Sequence, residues 1–490
     1  MKSKNASIKK NFIMEIFLTM SNFIFPLITF PYASRILKPE GTGKIQFATA
    51  TISYFLIIAQ LGIPKYGIRA CAKVRDNYEE LTRTTHELFF INLIMTAVAY
   101  AGLAVSIVFI PKYQNEKLLL IIISCTIFFH TIGMEWLYKA LEKYTYITIR
   151  SVIFKLIALV AMFLLVHKKE DYLIYGAITI LASSFSCVFN FFHARKYIGI
   201  KLVGNYNLHK HIKAVAVFFA MACATTVYTH LDTLMLGFMK SDTEVGYYNA
   251  AVKIKTIMVS IVISLGTVLL PRASYYIQTG KMKEFQSITK KSMNFAVLLA
   301  TPLMLYFMLF AKSGILFLSG SEYTNSIVPM QLIMPTLLLI GMSNVTGIQI
   351  LVPTGREKIV LYSEIAGAVV DLGLNAVLIP RYASSGAAIG TVVAEVVVLA
   401  VQTIALRREI APVFLKIPFV KMLIALSGGT VAAIWVLWMN WHSFITLAVS
   451  GCLFFAVYGA LLLLLKEPLV CDIMQQVLKS LKRKLGKRHV

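Results

Sequence analysis

Charge is what this chain has least of. Only 14% of its 490 residues are Asp, Glu, Lys or Arg, about half the share typical of soluble domains. A soluble chain this long would divide into roughly three domains with solvated surfaces, and the polar residues to cover them are missing. Carboxylates are the scarcest, with 23 acidic against 48 basic side chains. Cysteine is sparse too: Cys71, Cys125, Cys187, Cys223, Cys452 and Cys471 show no CxxC pair and no metal-ligand spacing. A disulfide framework or a metal site is therefore not expected. Gly-x-Ser-x-Gly, His-Glu-x-x-His and Walker loops are absent from the chain, which removes an ATPase and the common hydrolase constellations. A cytosolic enzyme is excluded.

What the chain does contain is apolar length: 58% of the residues are hydrophobic. Fourteen spans of about 20 residues would occupy about 280 residues. The apolar runs place them at about 11–34, 44–63, 87–110, 118–138, 147–166, 173–194, 214–236, 248–270, 292–311, 327–352, 359–379, 386–406, 419–439 and 444–465. The first run is too long for a signal peptide and reads as the first span. Pro26, Pro31, Pro302 and Pro335 fall inside spans and predict kinks whose freed carbonyls need partners or a wet cavity.

The net charge of +25 would suggest nucleic acid in a soluble protein. Its distribution gives another reason. With the N-terminus cytoplasmic, 35 of the 48 basic residues fall in inner segments, 10 in outer segments and three within spans. This is a positive-inside pattern. It predicts an even number of spans, both termini in the cytoplasm, and no nucleic-acid partner. The outer segments are short, which leaves no room for an external catalytic domain.

The chain also repeats itself. Gly43-Lys44 and Gly246-Tyr247 stand 203 residues apart, Pro64-Lys65 and Pro271-Arg272 207, and Gly176-Ala177 and Gly386-Ala387 210. Leu141-Glu142-Lys143 and Arg356-Glu357-Lys358 add a fourth match, at offset 215. Six spans separate each pair, so the halves run in parallel topology. The expected architecture is an all-α polytopic membrane protein of fourteen helices. Its parts are an N-lobe over 1–210, a C-lobe over 211–410, two appended helices over 411–466 and a basic amphipathic tail over 467–490. The tail carries apolar residues on one face and a basic C-terminal end, and is expected to lie on the inner membrane surface.

Charges inside spans are the informative exceptions, because each costs at least about 2.5–3.5 kcal/mol at mid-membrane and must face protein or water. The candidates are Glu15, Lys155, Asp232, Lys253, Lys255, Glu364, Asp371 and Glu395, with Arg35 and Arg272 at span ends. For Arg35, Arg272 and Glu15 snorkelling competes with a cavity role. For the deeper carboxylates structural ion pairing competes with cavity lining. Glu364 and Asp371 are seven apart and share a helix face. His130 and His230 lie in spans as lone histidines, which more often pack than ligate.

At this point a resemblance enters. Phe25-Pro26-Leu27-Ile28-Thr29-Phe30-Pro31-Tyr32-Ala33-Ser34-Arg35-Ile36-Leu37, followed by Gly41-Thr42-Gly43, resembles the start of Wzx-type bacterial polysaccharide or O-antigen repeat-unit flippases. These form the oligosaccharide flippase branch of the multidrug/oligosaccharidyl-lipid/polysaccharide exporter superfamily. Further matches are Glu135-Trp136-Leu137-Tyr138-Lys139-Ala140-Leu141-Glu142-Lys143-Tyr144, Val245-Gly246-Tyr247-Tyr248-Asn249-Ala250-Ala251-Val252-Lys253, Leu270-Pro271-Arg272, Asp371-Leu372-Gly373-Leu374-Asn375, Ile379-Pro380-Arg381-Tyr382 and Gly386-Ala387-Ala388-Ile389-Gly390-Thr391 with Glu395. Lys38-Pro39 departs from the family, which more often has Gly after Leu37, and is read as a tighter external turn.

The resemblance implies a two-lobed MATE/MurJ-like fold, an alternating-access cycle and no enzymatic activity. The implied location is the bacterial cytoplasmic (inner) membrane. The implied substrate is an oligosaccharide on a polyprenyl pyrophosphate, for O-antigen, capsule or exopolysaccharide biosynthesis. Membrane lipids, a polysaccharide polymerase and a chain-length regulator are the implied partners. It gives Arg35, Lys155, Lys253 and Arg272 to the pyrophosphate-sugar head. Asp232, Asp371 and Glu395 would meet sugar hydroxyls or a coupling cation, H+ or Na+, and Glu364 would line the cavity. No cofactor is implied. A cation-coupled multidrug exporter of the same superfamily is the alternative. A membrane polymerase or ligase is opposed by the short outer segments.

Overall fold

The computed structural model describes residues 2–199, 201–407, 409, 418–439, 441–472 and 474–475. The expected tail over 467–490 lies mostly outside the described residues. Among the described residues every regular element is a helix. This follows from the apolar composition: in hydrocarbon a backbone must satisfy its own N–H and C=O groups, and a helix does so within one segment.

All fourteen expected segments fall on helix. We label them α1 (2–37), α2 (39–60), α3 (Tyr78–Phe109), α4 (Lys117–Gly133), α5 (Tyr144–Leu165), α6 (Tyr172–Ile180 continued by Cys187–Ala194), α7 (His209–Met239) and α8 (Asp242–Gln278). The remainder are α9 (Met282–Leu309), α10 (Ile327–Ile333 continued by Thr336–Asn344), α11 (357–382), α12 (384–405), α13 (Phe419–Ile434) and α14 (Ser443–Leu464). By length and composition nine of the described helices can cross a membrane, or ten if a pair bent by 45° near Pro335 is one span. This is a multi-pass membrane architecture.

Two of these nine run for 62 and 49 residues, about 93 and 74 Å if straight, far beyond a hydrocarbon core of about 30 Å. Both fold back. In the second, Gln402 donates to Ser363 at 3.0 Å, which needs antiparallel arms; the break is at Ala383, φ 48° and ψ −127°. In the first, the break is Lys38, φ 62° and ψ 175°. On one arm, Thr148 donates to the Met14 carbonyl and Tyr32 to the Val166 carbonyl, so α5 runs parallel to α1. On the other, Asn92 donates to the Ala59 carbonyl while Phe47 packs against Tyr113, so α2 runs antiparallel to α3.

The chain divides into two compact units, Met1–Asn249 and Ala250–Val490. In the first, the connections sort to two ends. One end gathers Lys44 with Glu116 at 2.8 Å, Lys169 with Glu40 at 2.8 Å and Lys112 with Asp242 at 2.9 Å. The other gathers Arg75 with Glu142 at 2.7 Å and a buried Glu87 that takes His211 at 2.9 Å, Lys210 at 2.6 Å and the Asn207 amide. Here a helix replaces an expected loop. Ile63–Val74 buries Ile63, Gly67 and Cys71 and leaves Lys65, Arg69 and Lys73 exposed at intervals of four. It starts at Pro64 after a left-handed Gly62, a helix-start signal that was hidden by the basic residues. The expected 118–138 span is also shorter, because α4 stops at Gly133 and Met134 takes φ 41°.

Glycines mark one close approach. A Cβ on Gly43 would lie 1.7 Å from the Asp242 carbonyl oxygen, and one on Gly246 would lie 2.0 Å from the Pro39 carbonyl oxygen. Residues 39 and 43 become 242 and 246 on adding 203, the repeat offset. The two turns therefore meet through a local two-fold relation, and only glycine lets the backbones touch. α7 presses on α2 as well, with Gly237 against the Phe47 ring.

Lys38 explains the family departure. Its dihedrals belong to a region that glycine enters freely and side chains enter at about 1–3 kcal/mol, and the following Pro39 drives ψ to the extended value. Lys38→Gly should therefore raise stability by about 1 kcal/mol, and Lys38→Val should lower it. Thermal unfolding of the detergent-solubilised protein measures both, and equal midpoints would refute the strain.

Candidate functional site

The first unit holds a buried cation where the sequence predicts one. Lys155 of α5 is 8% exposed. Its Nζ donates to Ser21 Oγ at 2.7 Å and to Asn22 Oδ1, both on α1. These acceptors are neutral. They orient the ammonium without cancelling its charge, and among the described residues Lys155 has no carboxylate in ion-pair contact. A cation held this way remains available to an anion.

Around it lies a set of further charged and polar side chains from α1, α4, α5 and the Glu135–Ala140 helix. Arg150 of α5 is also 8% exposed, and neither Nε nor Nη1 has a hydrogen-bond partner. It feels the charge of Glu135 and reaches the Cys187 thiol on α6. Glu135 pairs with Lys139 at 3.1 Å one turn along the short Glu135–Ala140 helix. Glu15 of α1 carries a buried oxygen without a hydrogen bond, and its charge acts on Lys139. His130 of α4 lies 3.4 Å from Ser184 on the π-helical turn Leu181–Phe185 within α6. Three cations thus face two carboxylates in an apolar bundle. The signal was present in Glu135-Trp136-Leu137-Tyr138-Lys139, but periodicity cannot show that a loop-edge Arg150 turns inward.

Arg35 is exposed at the far end of α1, its Nη1 donating to the Pro31 carbonyl at 2.6 Å. It stands fourteen residues beyond Ser21, about 21 Å along the helix. Arg35 and Lys155 therefore serve different depths, not one clamp. Asp232 of α7 is 6% exposed and accepts a hydrogen bond from Tyr248 at the start of α8. Its charge also reaches Tyr54 of α2.

The second unit shows the same separation. Lys253 and Arg272 both belong to α8 but lie nineteen residues apart, about 28 Å of helix. Lys253 is half-buried, with no hydrogen bond or ion pair among the described residues. Arg272 is exposed; its Nε donates to Tyr276 at 2.8 Å and its guanidinium stacks on that ring. Asp371 and Glu395 come together in the α11–α12 hairpin, 2% and 5% exposed. A Cβ on Gly390 would lie 2.9 Å from Asp371 Oδ1 and 2.4 Å from Asn375 Oδ1, so the hairpin is tightest at these polar groups. Glu364 is half-buried on the face of α11 that carries Asp371. Near the hairpin, Thr346 donates to Gln402 from the π-helical turn Val345–Leu351 that continues α10. Among the described residues no group of three or more His, Cys, Asp or Glu side chains is placed to hold a metal ion.

The known proteins this chain is similar to fit that geometry. Residues 8–277 match the polysaccharide biosynthesis protein family, and 217–377 match the MatE family. A protein of Escherichia coli strain K12, named as a candidate O-antigen transporter, is 24% identical over 411 residues, covering 84% of this chain and 99% of its own. A Shigella dysenteriae protein of the same name is 25% identical over 401 residues, covering 80% and 98%. Among solved structures, the lipid II flippase MurJ in an inward closed conformation aligns with a TM-score of 0.68 at 14% identity, covering 92% of this chain and 98% of that one. That likeness establishes the fold. With a family match across more than half of its length, the chain belongs to the polysaccharide biosynthesis protein family, as a Wzx-type member of the multidrug/oligosaccharidyl-lipid/polysaccharide exporter superfamily.

Proposed function

We propose that this protein is a flippase that moves polyprenyl-pyrophosphate-linked oligosaccharide repeat units from the inner to the outer leaflet of a bacterial cytoplasmic membrane. The observation that carries the reading is Lys155, a buried cation held by neutral acceptors. The names of the curated relatives and of the structural neighbour support a lipid-linked saccharide as substrate.

The physical task is to pass a charged, sugar-bearing head through hydrocarbon while its lipid tail stays there. A wet path lined by protein avoids most of the desolvation cost. Cations at two depths in each unit, Lys155 and Arg35 in one and Arg272 and Lys253 in the other, give the pyrophosphate successive contacts in place of one deep trap. With the inside negative, outward movement of two negative charges gains about 4–5 kcal/mol per 100 mV if the empty carrier returns without net charge. Asp232, Asp371 and Glu395 are assigned to sugar hydroxyls or to a coupling cation, H+ or Na+. The cytoplasmic placement of both termini belongs to this reading. So do the absence of enzymatic activity and an association with a polymerase and a chain-length regulator.

Alternating access needs a contact that can part. The two-fold meeting of Pro39–Gly43 with Asp242–Gly246 is backbone on backbone; Glu40 and Asp242 pair with lysines outside the two turns, so the contact is tight without being covalent. We assign it to closure of the outer side.

The MatE match over 217–377 and the buried carboxylates favour a second reading, a cation-coupled multidrug exporter. Unchanged drug susceptibility in a deletion strain removes it.

Deletion of the gene should cause polyprenyl-linked saccharide to build up on the inner leaflet, read by lipid-linked saccharide profiling; its absence refutes the flippase. Lys155→Gln should slow transport about ten- to a hundredfold, the loss of one charge-assisted contact of about 1.5–3 kcal/mol, while Lys155→Arg retains part of the rate. Appearance of saccharide outside reconstituted vesicles measures both, with size-exclusion profiles confirming folded protein. Gly43→Ala should force the two turns apart. A cysteine at position 42, in place of the 4%-exposed Thr42, should then react with an impermeant maleimide from outside, but not when Gly43 is intact.

A further inference from the structure

The second unit contains a cavity of about 670 Å³ that shares Arg272 with the transport reading and otherwise lies outside it. It lies where the end of α8, the start of α9, the start of α13 and the segment after α14 converge. Lysine 421 Nζ donates to the Lys466 carbonyl at 3.2 Å, which ties the last two of these ends together. Arg272, Lys290, Lys291 and Lys421 line it, against the two carboxylates Glu467 and Asp472. The excess of basic groups favours an anion over a zwitterion.

Ser287 and Asn294 add neutral polar groups, and the rest of the wall is apolar, from Leu269, Ile288, Phe295, Leu469 and two prolines. Beside it, α13 exposes Phe419, Val420 and Leu423, each more than half exposed. On a membrane helix such a face meets lipid. The cavity thus combines a cationic rim with an apolar wall that continues onto a lipid-facing helix, as an amphiphile requires.

Glu467 refines the ligand. The residue is fully buried; its Oε2 accepts from the Val470 amide at 2.7 Å, and its Oε1 is buried without a hydrogen-bond partner. A buried carboxylate oxygen left without a donor, in a wall that also carries four cations, suits a headgroup that carries a phosphate and, next to it, a hydroxyl donor.

We propose that this cavity binds an anionic phospholipid of the surrounding membrane with a hydroxyl-bearing headgroup, of the phosphatidylglycerol class. The basic side chains hold the phosphate, Glu467 accepts from the headgroup hydroxyl, and the acyl chains lie along α13. The site belongs to the end expected at the cytoplasmic face. It anchors the two appended helices to α8 and α9 through a lipid.

The test uses the full-length chain in detergent and native mass spectrometry with dioctanoyl lipids. Phosphatidylglycerol should bind at least tenfold more tightly than phosphatidylcholine and several-fold more tightly than phosphatidic acid. Lys290→Gln/Lys291→Gln and, separately, Lys421→Gln on another helix should each weaken it about tenfold, while Lys312→Gln, outside the cavity, leaves it unchanged. Glu467→Gln should abolish the preference over phosphatidic acid. Equal binding of phosphatidylcholine, or unaltered binding by folded variants with wild-type melting profiles, overturns the site. Phosphatidic acid binding as tightly as phosphatidylglycerol overturns the headgroup assignment. Inorganic phosphate binding with the same variant pattern shows an ion site and overturns the lipid. Farnesyl pyrophosphate displacing phosphatidylglycerol at lower concentration makes this a substrate-loading site and overturns it equally. None of these readouts involves transport, so the site and the flippase reading fail independently.

Discussion

Everything in this protein follows from one requirement: in hydrocarbon, backbone hydrogen bonds must be closed within a segment. The requirement makes every described regular element a helix and pushes irregular backbone to the helix ends. It also fixes how the chain can turn. At Lys38 and Ala383 the helix reverses within a single residue, and the cost falls on one unfavourable φ at each. A wider turn would leave more donors and acceptors to satisfy near the membrane. Where α6 and α10 widen to π-helical turns, polar side chains gather: Ser184 beside His130 in one, and Thr346 with Gln402 in the other.

The same requirement gives the charges their meaning. A carboxylate or ammonium placed among apolar helices must be stabilised by protein or water. Some are cancelled locally, as with Glu135 and Lys139, or Glu87 with His211 and Lys210. Lys155 is solvated by two neutral side chains and keeps its field. The difference separates groups that hold the fold from groups that can act on an anion. It also separates the two ends of the first unit. At one end Lys44, Lys112 and Lys169 meet carboxylates, whereas Lys65, Arg69 and Lys73 at the other form an exposed basic stripe.

Sequence alone determined a good deal here. Apolar run lengths placed every expected segment on helix, since hydrophobic length is a one-dimensional property. The short motifs named the family before any fold was seen, and the offset of 203 between Gly43 and Gly246 found the repeat. Local chemistry also pointed to Lys155, because one lysine inside an apolar run needs no partner to be noticed.

Other features had to wait for the tertiary structure, and each depends on what lies across a gap in sequence. That Gly43 and Gly246 touch each other through their backbones is decided by packing of two turns that no periodicity relates. Arg150, about one turn inside the expected 147–166 span, turns inward because α6 offers Cys187 and the Glu135–Ala140 helix offers a charge. The helix Ile63–Val74 was hidden in a basic loop because its short apolar face has meaning only against Trp136. Lys38 reads as a tighter turn, and the chain reverses there on one side chain held in a glycine conformation, which a dihedral shows and a residue name does not. Lengths, composition and motifs are carried by neighbours along the chain, and so could be read from it. Depth, pairing and contact are set by neighbours in space, and only the folded molecule supplies those.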